Sequence, residues 1–430
     1  MKANGKQKVH VITMGCAKNV VDSEKLMAQL RANGVELSPT IEEANIAVIN
    51  TCGFIDAAKE ESIDMIVANV KRKAKGRLRN VFVMGCLSER YRGDLEKELP
   101  EVDRFFGVHE MPAILRELGL QYRKELLGER VLTTPSHTAY LKISEGCDNP
   151  CSFCAIPLMR GGHSSRPQEA VVDEAVLLAA RGVKELVVIG QDTTAYGIDR
   201  GGKRDLASLL GRLANIEGIE WVRLMYAYPA KFPLDVIEQI AEHPRICKYL
   251  DMPVQHVADH VLKSMRRGIS RRATIELISR IRESVPGIAL RTTIIVGYPT
   301  ETEKEFQELL DFVRDVRFDR LGVFAYSAEE GTAAFPLADP VPAAEKDRRR
   351  SLLMEAQQEI SAERNASLVG SRQRVLLDRI EGGLYVGRTE RDAPEIDNEV
   401  FVTATVPLTV GTFCEVEIVD SSEYDLYGRV

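Results

Sequence analysis

The sequence predicts an α/β protein in three parts: a small doubly wound N-terminal domain, an open barrel of six strand–helix units, and a C-terminal antiparallel β-barrel. Two observations predict this fold class. Short apolar stretches alternate with helical stretches over most of the chain, which is the pattern of parallel sheets. From residue 365 the pattern changes to short strands with no helices between them, which is typical of a small β-barrel. The predicted segments are residues 1–130, 135–342, the linking helix 343–364, and 365–430.

The composition of the chain indicates the cellular compartment, and the compartment limits the roles that the cysteines can have. The 430 residues carry a formal charge of −7, so no overall positive field draws the chain to nucleic acid. The first residues are not expected to form a signal peptide, and no stretch approaches the roughly 20 apolar residues of a membrane-spanning helix. We therefore expect a cytoplasmic protein with no membrane partner. Its thiols should stay reduced and serve as core residues, nucleophiles or metal ligands.

Three apolar stretches in the N-terminal part predict parallel strands, at residues 9–13, 45–51 and 80–85. Helical stretches separate them, and the first helix is expected to start at Asp22, a suitable N-cap. Cys16, Cys52 and Cys86 each follow one of these strands by one to three residues. Because the functional crevice of a doubly wound sheet lies outside the carboxyl ends of its strands, we expect these cysteines to converge at one edge.

Six further stretches predict the strands of the open barrel, at residues 139–143, 185–189, 221–225, 249–253, 290–296 and 321–326. The clearest helix between them is 301–316, where Thr302 and Glu305 form a capping-box pattern and apolar residues recur on one face. Six units rather than eight predict an incomplete barrel. The loop after its first strand carries the segment SEGCDNPCSFCAIP.

That segment crowds three of the eight cysteines into eight residues, Cys147, Cys151 and Cys154. A closed structural zinc site needs four ligands, and at this spacing the fourth could come only from His163. A disulfide does not fit a reducing compartment. Three thiolates can hold three irons of a 4Fe-4S cluster and leave the fourth iron open. The spacing Cys-x3-Cys-x2-Cys therefore favours an iron–sulfur cluster.

The other five cysteines fall into two groups. Cys247 and Cys414 lie in apolar, strand-like stretches and are expected to be small core residues. Cys16, Cys52 and Cys86 each follow a strand and stand next to a turn residue or a polar group. Because the same placement occurs three times, it favours a second cluster that is held by three thiolates and has an open iron.

These motifs resemble those of the methylthiotransferases of the radical S-adenosylmethionine (SAM) class, and the resemblance covers nearly the whole chain. MGCAKNVVDSE, NTCGFIDAAKEES and GCLSERY resemble the three cysteine motifs of the family's N-terminal domain. GCDNPCSFCAIPLMRGGHSSR resembles the radical SAM motif, and the tail resembles the TRAM domain, a substrate-binding barrel. Lys18, Phe54-Ile55, GQDTTAYG and YSAEEGTAA are more similar to the branch that modifies a ribosomal protein than to the branch that modifies tRNA.

The resemblance implies two 4Fe-4S clusters and SAM. One cluster is expected on the radical triplet (Cys147, Cys151 and Cys154), where it would chelate SAM and cleave it to a 5′-deoxyadenosyl radical. The auxiliary triad (Cys16, Cys52 and Cys86) would hold the second cluster and the sulfur to be inserted, and a second SAM would give the methyl group. In the ribosomal-protein branch the substrate is the β-carbon of an aspartate in small-subunit ribosomal protein S-twelve. An electron donor such as flavodoxin or ferredoxin is also implied, and we expect a monomer.

The resemblance also suggests residues that contact SAM. Phe153 precedes the last cysteine of the radical triplet, as is usual in the motif. Gly190, Gln191 and Asp192 follow the second barrel strand, where radical SAM enzymes often bind the methionine amino group. Arg223 lies in the third strand, where an arginine is costly unless it is paired. It could pair with the SAM carboxylate or form an ion pair inside the barrel.

Three functions remain open from the sequence: a ribosomal-protein methylthiotransferase, a tRNA methylthiotransferase that acts on a modified adenosine near the anticodon, and an iron–sulfur electron carrier. The large barrel argues against the carrier. Residues 365–430 contain six Arg, no Lys and twelve acidic residues, a net charge of −6 that favours a basic protein over tRNA. The basic run RRGISRR at 266–272 is expected to be a solvated loop.

Overall fold

The computed structural model of the chain describes residues 7–126 and 128–430. The chain divides into two compact units. The first comprises the chain up to Thr133 together with Glu145–Asp148 and Ala155–Leu177. The second comprises Thr134–Ser144, Asn149–Cys154 and Leu178–Val430. Within the described part of the chain, no helix is long and apolar enough to cross a membrane.

A five-stranded parallel sheet lies at the centre of the first unit. Its strands are β1 (Lys8–Thr13), β2 (Glu36–Leu37), β3 (Ile46–Thr51), β4 (Asn80–Gly85) and β5 (Arg104–Phe105). They lie in the order β2-β1-β3-β4-β5. Alternate residues of β3 face opposite cores: Ile46 and Val48 pack into one apolar cluster, and Ala47 and Ile49 into another. The predicted doubly wound domain is confirmed, because this sheet is covered on both faces.

Four helices flank this sheet: α1 (Ala17–Ala32), α2 (Asp56–Ala74), α3 (Cys86–Glu98) and α4 (Met111–Glu117). Helices α1 and α4 contribute to one core, and α2 and α3 to the other. Helix α1 begins at Ala17 with Cys16 as its N-cap, so the predicted start at Asp22 is wrong. Asp22 lies inside the helix on its buried side, where it pairs with Arg160 at 2.9 Å.

The first unit also contains α5 (Ile156–Arg160) and the start of α6 (Gln168–Ala180). Arg166, in the segment between these helices, pairs with the buried Glu174 of α6 at 2.7 Å. Shorter elements in the chain are the two-residue strands Ser144–Glu145 and Ser164–Ser165 and the 3-10 turns Ile41–Glu43, Lys124–Leu126 and Thr193–Ala195.

Six parallel strands form an open sheet in the second unit. They are β6 (Thr138–Lys142), β7 (Glu185–Ile189), β8 (Trp221–Leu224), β9 (Ile246–Asp251), β10 (Ala289–Val296) and β11 (Arg320–Ala325). They pair in sequence order, and the sheet ends at β6 and β11 instead of closing. The predicted open six-unit barrel is confirmed.

Six helices lie in the connections between β7 and β11: α7 (Ile198–Gly201), α8 (Leu206–Ala214), α9 (Leu234–Glu242), α10 (Asp259–Ser264), α11 (Arg271–Ser284) and α12 (Glu303–Val316). The predicted capping box at the start of α12 is present, with Thr302 as N-cap and Glu305 as its reciprocal partner. Phe306, Leu309 and Val313 are buried on the face of α12 that was predicted to be apolar. Helix α13 (Ala343–Ala366) follows the last strand of the sheet.

A closed barrel of five strands ends the chain: β12 (Arg372–Glu381), β13 (Leu384–Arg388), β14 (Val400–Thr403), β15 (Phe413–Ser421) and β16 (Leu426–Arg429). Their order around the barrel is β12-β13-β14-β16-β15. The predicted β-barrel is confirmed with one difference. Strands β14 and β16 run parallel, while the other four pairings are antiparallel. This parallel pair is possible because β15 lies between β14 and β16 in the sequence and runs in the opposite direction. It therefore provides the crossover that parallel neighbours need.

The loop between β13 and β14 contacts strands of the open sheet near their amino-terminal ends. Asp392 pairs with Arg320 at 2.5 Å, and Asp397 pairs with Arg291 at 3.3 Å. All four side chains belong to the second unit. Ion pairs of the opposite polarity join the same parts, since Arg388 pairs with Glu185 and Arg391 pairs with Asp319. The pairs with the open barrel therefore use as many arginines as carboxylates of the tail and leave its net charge negative.

Candidate functional site

The auxiliary triad lies at the carboxyl ends of three strands that pair side by side. Cys16 follows β1, Cys52 follows β3, and Cys86 follows β4. The strand order reverses between β1 and β3, and ligand sites of doubly wound sheets lie in the crevice at such a point. Cys16 is exposed, Cys52 is half-buried and Cys86 is buried. The row of thiols therefore runs from solvent into the protein.

Two glycines allow the loops that carry these thiols to approach each other. Gly15 has a φ of +86°, and a Cβ atom added to it would lie 2.7 Å from Cβ of Cys52 and 2.9 Å from its sulfur. A Cβ atom added to Gly53 would lie 2.7 Å from Cα of Leu87 and 3.0 Å from the backbone carbon of Cys86. Any side chain at either position would push the cysteine-bearing loops apart.

Opposing effects act on the protonation of the triad. Burial raises the pKa of the Cys86 thiol to about 11, and burial also raises the pKa of Cys52. The neighbouring thiols of the triad raise both values further, as expected of a close group. The positive charge of Arg160 acts in the other direction on the pKa of both thiols. Cys16 is the N-cap of α1, and Cys86 is the first residue of α3.

Buried polar side chains join the three loops. The amide nitrogen of Asn19 donates to the carbonyl oxygens of Met14 at 2.8 Å and Thr51 at 3.1 Å. Asn50 donates in turn to the carbonyl oxygen of Asn19 at 3.0 Å. The guanidinium of Arg160 donates to the sulfur of Cys86 at 3.4 Å. The triad is therefore held by a fixed network rather than by loose loops.

The division between the units falls within the radical triplet. Cys147 belongs to the first unit, and Cys151 and Cys154 belong to the second. In the first unit, the backbone N–H of Cys147 donates to the carbonyl oxygen of Gly161 at 3.1 Å. A Cβ atom added to Gly146, whose φ is +73°, would lie 2.0 Å from the carbonyl oxygen of Gly162. Only glycine fits immediately before Cys147.

In the second unit, an arginine and a tyrosine hold Cys151. Nη1 of Arg267 donates to the sulfur of Cys151 at 3.2 Å, and the hydroxyl of Tyr228 lies 3.7 Å from the same sulfur. The guanidinium of Arg267 lies 4.3 Å from the ring centre of Tyr228 and donates to the carbonyl oxygen of Pro253 at 2.6 Å. The Tyr228 hydroxyl donates to the backbone carbonyl of Arg267 at 2.7 Å. The arginine is therefore fixed from three sides.

The residues between Cys151 and Cys154 anchor their loop. The hydroxyl of the buried Ser152 donates to the carbonyl oxygen of Ser264 at 2.8 Å and lies 2.9 Å from the hydroxyl of Tyr298. Phe153 packs against an apolar cluster that includes Tyr298. The structure gives Phe153 a packing role, and its contact with SAM stays a prediction.

Asp192 is connected to the same loop. The amide nitrogen of Asn149, two residues before Cys151, donates to Oδ2 of Asp192 at 2.7 Å. Gly190 and Gln191 precede Asp192 at the carboxyl end of β7. These three residues lie at the end of the sheet where ligand sites of parallel barrels occur, and their contacts with SAM stay predictions.

Arg223 takes part in a different group. Its side chain is fully buried, and its Nε donates to Glu185 at 2.8 Å while Nη1 donates to the carbonyl oxygen of Glu390 at 2.7 Å. Arg388 binds the other oxygen of Glu185 at 2.7 Å. Of the two possibilities left open by the sequence, the structure shows the ion pair inside the barrel. We therefore leave Arg223 out of the proposed SAM contacts.

Sequence reasoning missed Arg160 and Arg267 as partners of cysteines. Arg160 stands within the motif GCDNPCSFCAIPLMRGGHSSR, but nothing in its spacing indicates a contact with Cys86. The run RRGISRR was expected to be solvated. This prediction is wrong for Arg267, because that residue is only 4% exposed.

The fit of both cysteine groups to iron–sulfur clusters rests on their donor chemistry. Within residues 7–126 and 128–430, no three His, Cys, Asp or Glu side chains form a group that could hold a single metal ion. Thiols with helix N-termini and guanidinium groups beside them suit an iron–sulfur cluster, whose ligands are thiolates. Cys247 is buried, and Cys414 packs against the core of the C-terminal barrel, as expected.

Comparison with known proteins covers all three parts of the chain. Residues 8–107 match the Uncharacterized protein family UPF0004, residues 141–313 match the Radical SAM superfamily, and residues 369–430 match the TRAM domain. A protein from Cytophaga hutchinsonii named ribosomal protein uS12 methylthiotransferase RimO is 53% identical over 100% of this chain and 99% of its own. The protein of the same name from Flavobacterium johnsoniae is 54% identical with the same coverage. The chain belongs to the ribosomal protein uS12 methylthiotransferase family.

A solved structure supports the architecture of this uS12 methylthiotransferase family member at the level of fold. The radical S-adenosylmethionine methyltransferase TsrM from Kitasatospora setae, with cobalamin and a 4Fe-4S cluster bound, matches with a TM-score of 0.54. It is 14% identical, and the match covers 77% of each chain. The two proteins therefore share a fold.

Proposed function

We propose that the chain transfers a methylthio group to the β-carbon of an aspartate in ribosomal protein uS12. Family membership over the full length supports this activity. The observation within the molecule that carries the proposal is the convergence of Cys16, Cys52 and Cys86 at the ends of three adjacent strands. Three thiols beyond the radical triplet can hold a second cluster that carries the sulfur to be inserted, and this convergence provides them.

The match to the Radical SAM superfamily supports an iron–sulfur cluster and SAM as cofactors. We propose two four-iron clusters, one on the radical triplet and one on the auxiliary triad. When bound, the first cluster and SAM would supply one-electron chemistry, the second cluster would hold the sulfur to be inserted, and another SAM would supply the methyl group.

The chain's own residues hold and orient these groups. Arg267 directs an N–H toward Cys151, and hydrogen bonds to cluster sulfurs are one way in which a protein sets the reduction potential. Ser152 fixes the loop between the cysteines. The proposed SAM contacts are Phe153, Gly190, Gln191 and Asp192.

We propose a division into an N-terminal methylthiotransferase domain at 1–130, a radical SAM barrel at 135–342, a linking helix at 343–364 and a TRAM-like barrel at 365–430. The compact units cut across this division, because residues 155–177 cluster with the first unit. The N-terminal domain is therefore proposed to depend on a segment that follows the radical triplet in the chain.

Ribosomal protein remains the favoured substrate over tRNA, and the main support is now family membership. The negative charge of the tail adds support, because its pairs with the open barrel use Asp392 and Asp397 but also Arg388 and Arg391. Glu415 and Asp420 of β15 remain exposed. A basic protein would be attracted to these carboxylates, whereas tRNA would be repelled.

We further propose that the protein works as a monomer in the cytoplasm, where its ribosomal substrate is made. An electron donor such as flavodoxin or ferredoxin would reduce the radical cluster. Pull-down of the reduced donor with the full chain, followed by reduction kinetics, tests this partner directly.

Cysteine variants test the two-cluster proposal. After anaerobic reconstitution the full chain should hold about eight irons. Replacing the radical triplet by Ala should remove half of the iron and abolish cleavage of SAM to 5′-deoxyadenosine. Replacing the auxiliary triad should also remove half but leave SAM cleavage measurable, while methylthiolated product disappears. Cys414→Ala is the matched control and should change neither reading. Full iron in either triple variant would contradict the assignment.

Substrate choice is tested with the exposed tail carboxylates. The double variant Glu415→Lys and Asp420→Lys should slow association with uS12, and added salt should reduce the difference, because exposed charges are screened beyond about 10 Å at 0.1 M. Mass spectrometry of uS12 and of tRNA after reaction gives the readout, with Glu276→Lys on α11 as the control reversal. Methylthiolation of tRNA that rises in the double variant, with none on uS12, would contradict the proposed substrate.

A further inference from the structure

Arg160 ends helix α5, six residues after the last cysteine of the radical triplet in the sequence, yet its side chain contacts the auxiliary triad. The residue is only 3% exposed and belongs to the first unit together with Cys16, Cys52 and Cys86. A buried arginine is costly unless each of its donors finds an acceptor. The acceptors of Arg160 therefore indicate why it is there.

All three guanidinium nitrogens of Arg160 donate hydrogen bonds. Nε donates to the sulfur of Cys86 at 3.4 Å. Nη1 donates to Asp22 at 2.9 Å and to Glu145 at 3.0 Å, and Nη2 donates to Oδ1 of Asn19 at 2.6 Å. The guanidinium is planar, so these three fixed directions leave the Nε–H aimed at the sulfur.

Asn19 extends this contact to the other two loops of the triad. Its side-chain nitrogen donates to the carbonyl oxygen of Met14, two residues before Cys16, and to that of Thr51, immediately before Cys52. Arg160 thus contacts one triad cysteine directly and is linked through Asn19 to the loops of the other two. A plain ion pair with Asp22 and Glu145 would not require this arrangement.

The surroundings of Cys86 make this contact effective. Cys86 packs with Val108, Ala155 and Met159 in an apolar cluster. A charge in such a weakly polar environment acts more strongly on its neighbours than it would in water. The guanidinium therefore places a positive charge beside the most buried thiol of the triad.

We propose that Arg160 is a positioning residue for the auxiliary triad: it orients Cys86 and raises the reduction potential of the cluster held there. This rests on the proposed function, because it presupposes that the triad holds a cluster. A hydrogen bond and a positive charge at a ligand sulfur stabilise the reduced cluster, which carries one more electron. The segment that follows the radical triplet therefore completes the auxiliary site.

The test uses the full chain with the radical triplet replaced by Ala, so that a signal can come only from the auxiliary cluster. Iron content, the EPR spectrum of the reduced protein and its midpoint potential are measured. Arg160→Gln in this background should move the potential to a more negative value and change the EPR line shape. Arg160→Lys keeps the positive charge but loses the planar set of guanidinium donors. Its midpoint potential should lie between those of the parent and Arg160→Gln.

Arg166→Gln is the matched control. It removes a half-buried arginine that pairs with the buried Glu174 in the same unit, and this pair does not involve a cysteine. Its potential and EPR spectrum should equal those of the parent. If Arg160→Gln does not fold, as judged by its thermal melting curve, the double variant Asp22→Asn with Arg160→Gln removes the buried charge pair together and carries the same expectation.

The outcomes separate the two proposals. An unchanged potential and EPR spectrum in both Arg160→Gln and the double variant, with iron retained, would overturn the role of Arg160 and leave the auxiliary cluster in place. A shift of equal size in Arg166→Gln would also overturn it, because the effect would not be specific to the sulfur contact. A parent background with no iron would overturn the auxiliary cluster itself, and the role of Arg160 with it.

Discussion

Replacing Glu185 by Gln should strongly destabilise the second unit. Glu185 is fully buried at the start of β7, and its two oxygens bind two different arginines, Arg223 at 2.8 Å and Arg388 at 2.7 Å. Burial alone would raise the pKa of this carboxyl, but the two arginines hold it below its ordinary value, so Glu185 is ionised at neutral pH. Glutamine has nearly the same volume and removes only the charge.

The size of this loss of stability depends on which hydrogen-bond acceptors each arginine keeps in the variant. The Gln amide can accept one hydrogen bond through its oxygen, but its NH2 group would face the donors of the other guanidinium. Arg388 keeps Asp378 at 2.7 Å, whereas Arg223 keeps only backbone carbonyl acceptors among its hydrogen-bond partners in the described structure. Breaking a buried ion pair by removing one partner costs about 3–5 kcal/mol. Because Arg388 stays paired, we expect a loss near the lower value, about 3 kcal/mol.

The chain contains a convenient probe for this measurement. Trp221 is its single tryptophan, and it packs edge-to-face on Phe413 of the C-terminal barrel with ring centres 4.8 Å apart. Urea unfolding followed by tryptophan fluorescence therefore reports on the junction that Glu185 supports. The midpoint should fall with little change in slope.

Glu220→Gln provides the matched control. Glu220 pairs with Arg374 at 2.8 Å and also joins the open sheet region to the C-terminal barrel, but both side chains are more than a third exposed. Exposed pairs contribute about 0–1 kcal/mol. Equal losses in the two variants would refute the argument that burial decides the magnitude.

Three further changes test other parts of the structure. Gly15→Ala should displace Cys52 and reduce the iron retained by the auxiliary triad, whereas Gly34→Ala, which has a similar positive φ but open space around it, should retain full iron. Thr302→Ala should lower the free energy of unfolding by about 1 kcal/mol through loss of the cap of α12, measured by urea unfolding. Burial opposes ionisation of Asp378, but hydrogen bonds from a histidine and an arginine lower its pKa below the ordinary 3.8. Its contribution to stability should be complete above pH 3.8 and be lost as the pH falls through the lower folded value, which acid titration of the tryptophan fluorescence would detect.

The strands were predictable because parallel strands are buried on both faces and leave continuous apolar runs in the sequence. The run at 80–85 coincides with β4, and the run at 185–189 coincides with β7. The convergence of the auxiliary triad could also be predicted, since residues after neighbouring parallel strands meet at one edge. Both inferences depend only on local pattern and on the known geometry of sheets.

The missed features depend on contacts between distant parts of the chain. Asp22 looks like a cap by local rules, but its partner Arg160 lies 138 residues away and draws it into the helix interior. Arg267 is 116 residues from the cysteine that it binds. The parallel pairing of β14 with β16 depends on the order of strands around the barrel, which alternation within each strand does not encode. Long-range electrostatic partners and strand order leave no periodic trace in a single sequence.

The insertion of the β13–β14 loop against the open sheet has a consequence for protein engineering. Chimeras that exchange only the C-terminal barrel between relatives would bring in Asp392 and Asp397 without necessarily preserving the arginines that receive them, Arg320 and Arg291. A successful exchange should carry these arginines along with the barrel, because a mismatched graft would bury a carboxylate that lacks its partner. The boundary for such grafts is therefore set by the charge pairs and not by the end of α13, where the chain alone would suggest cutting.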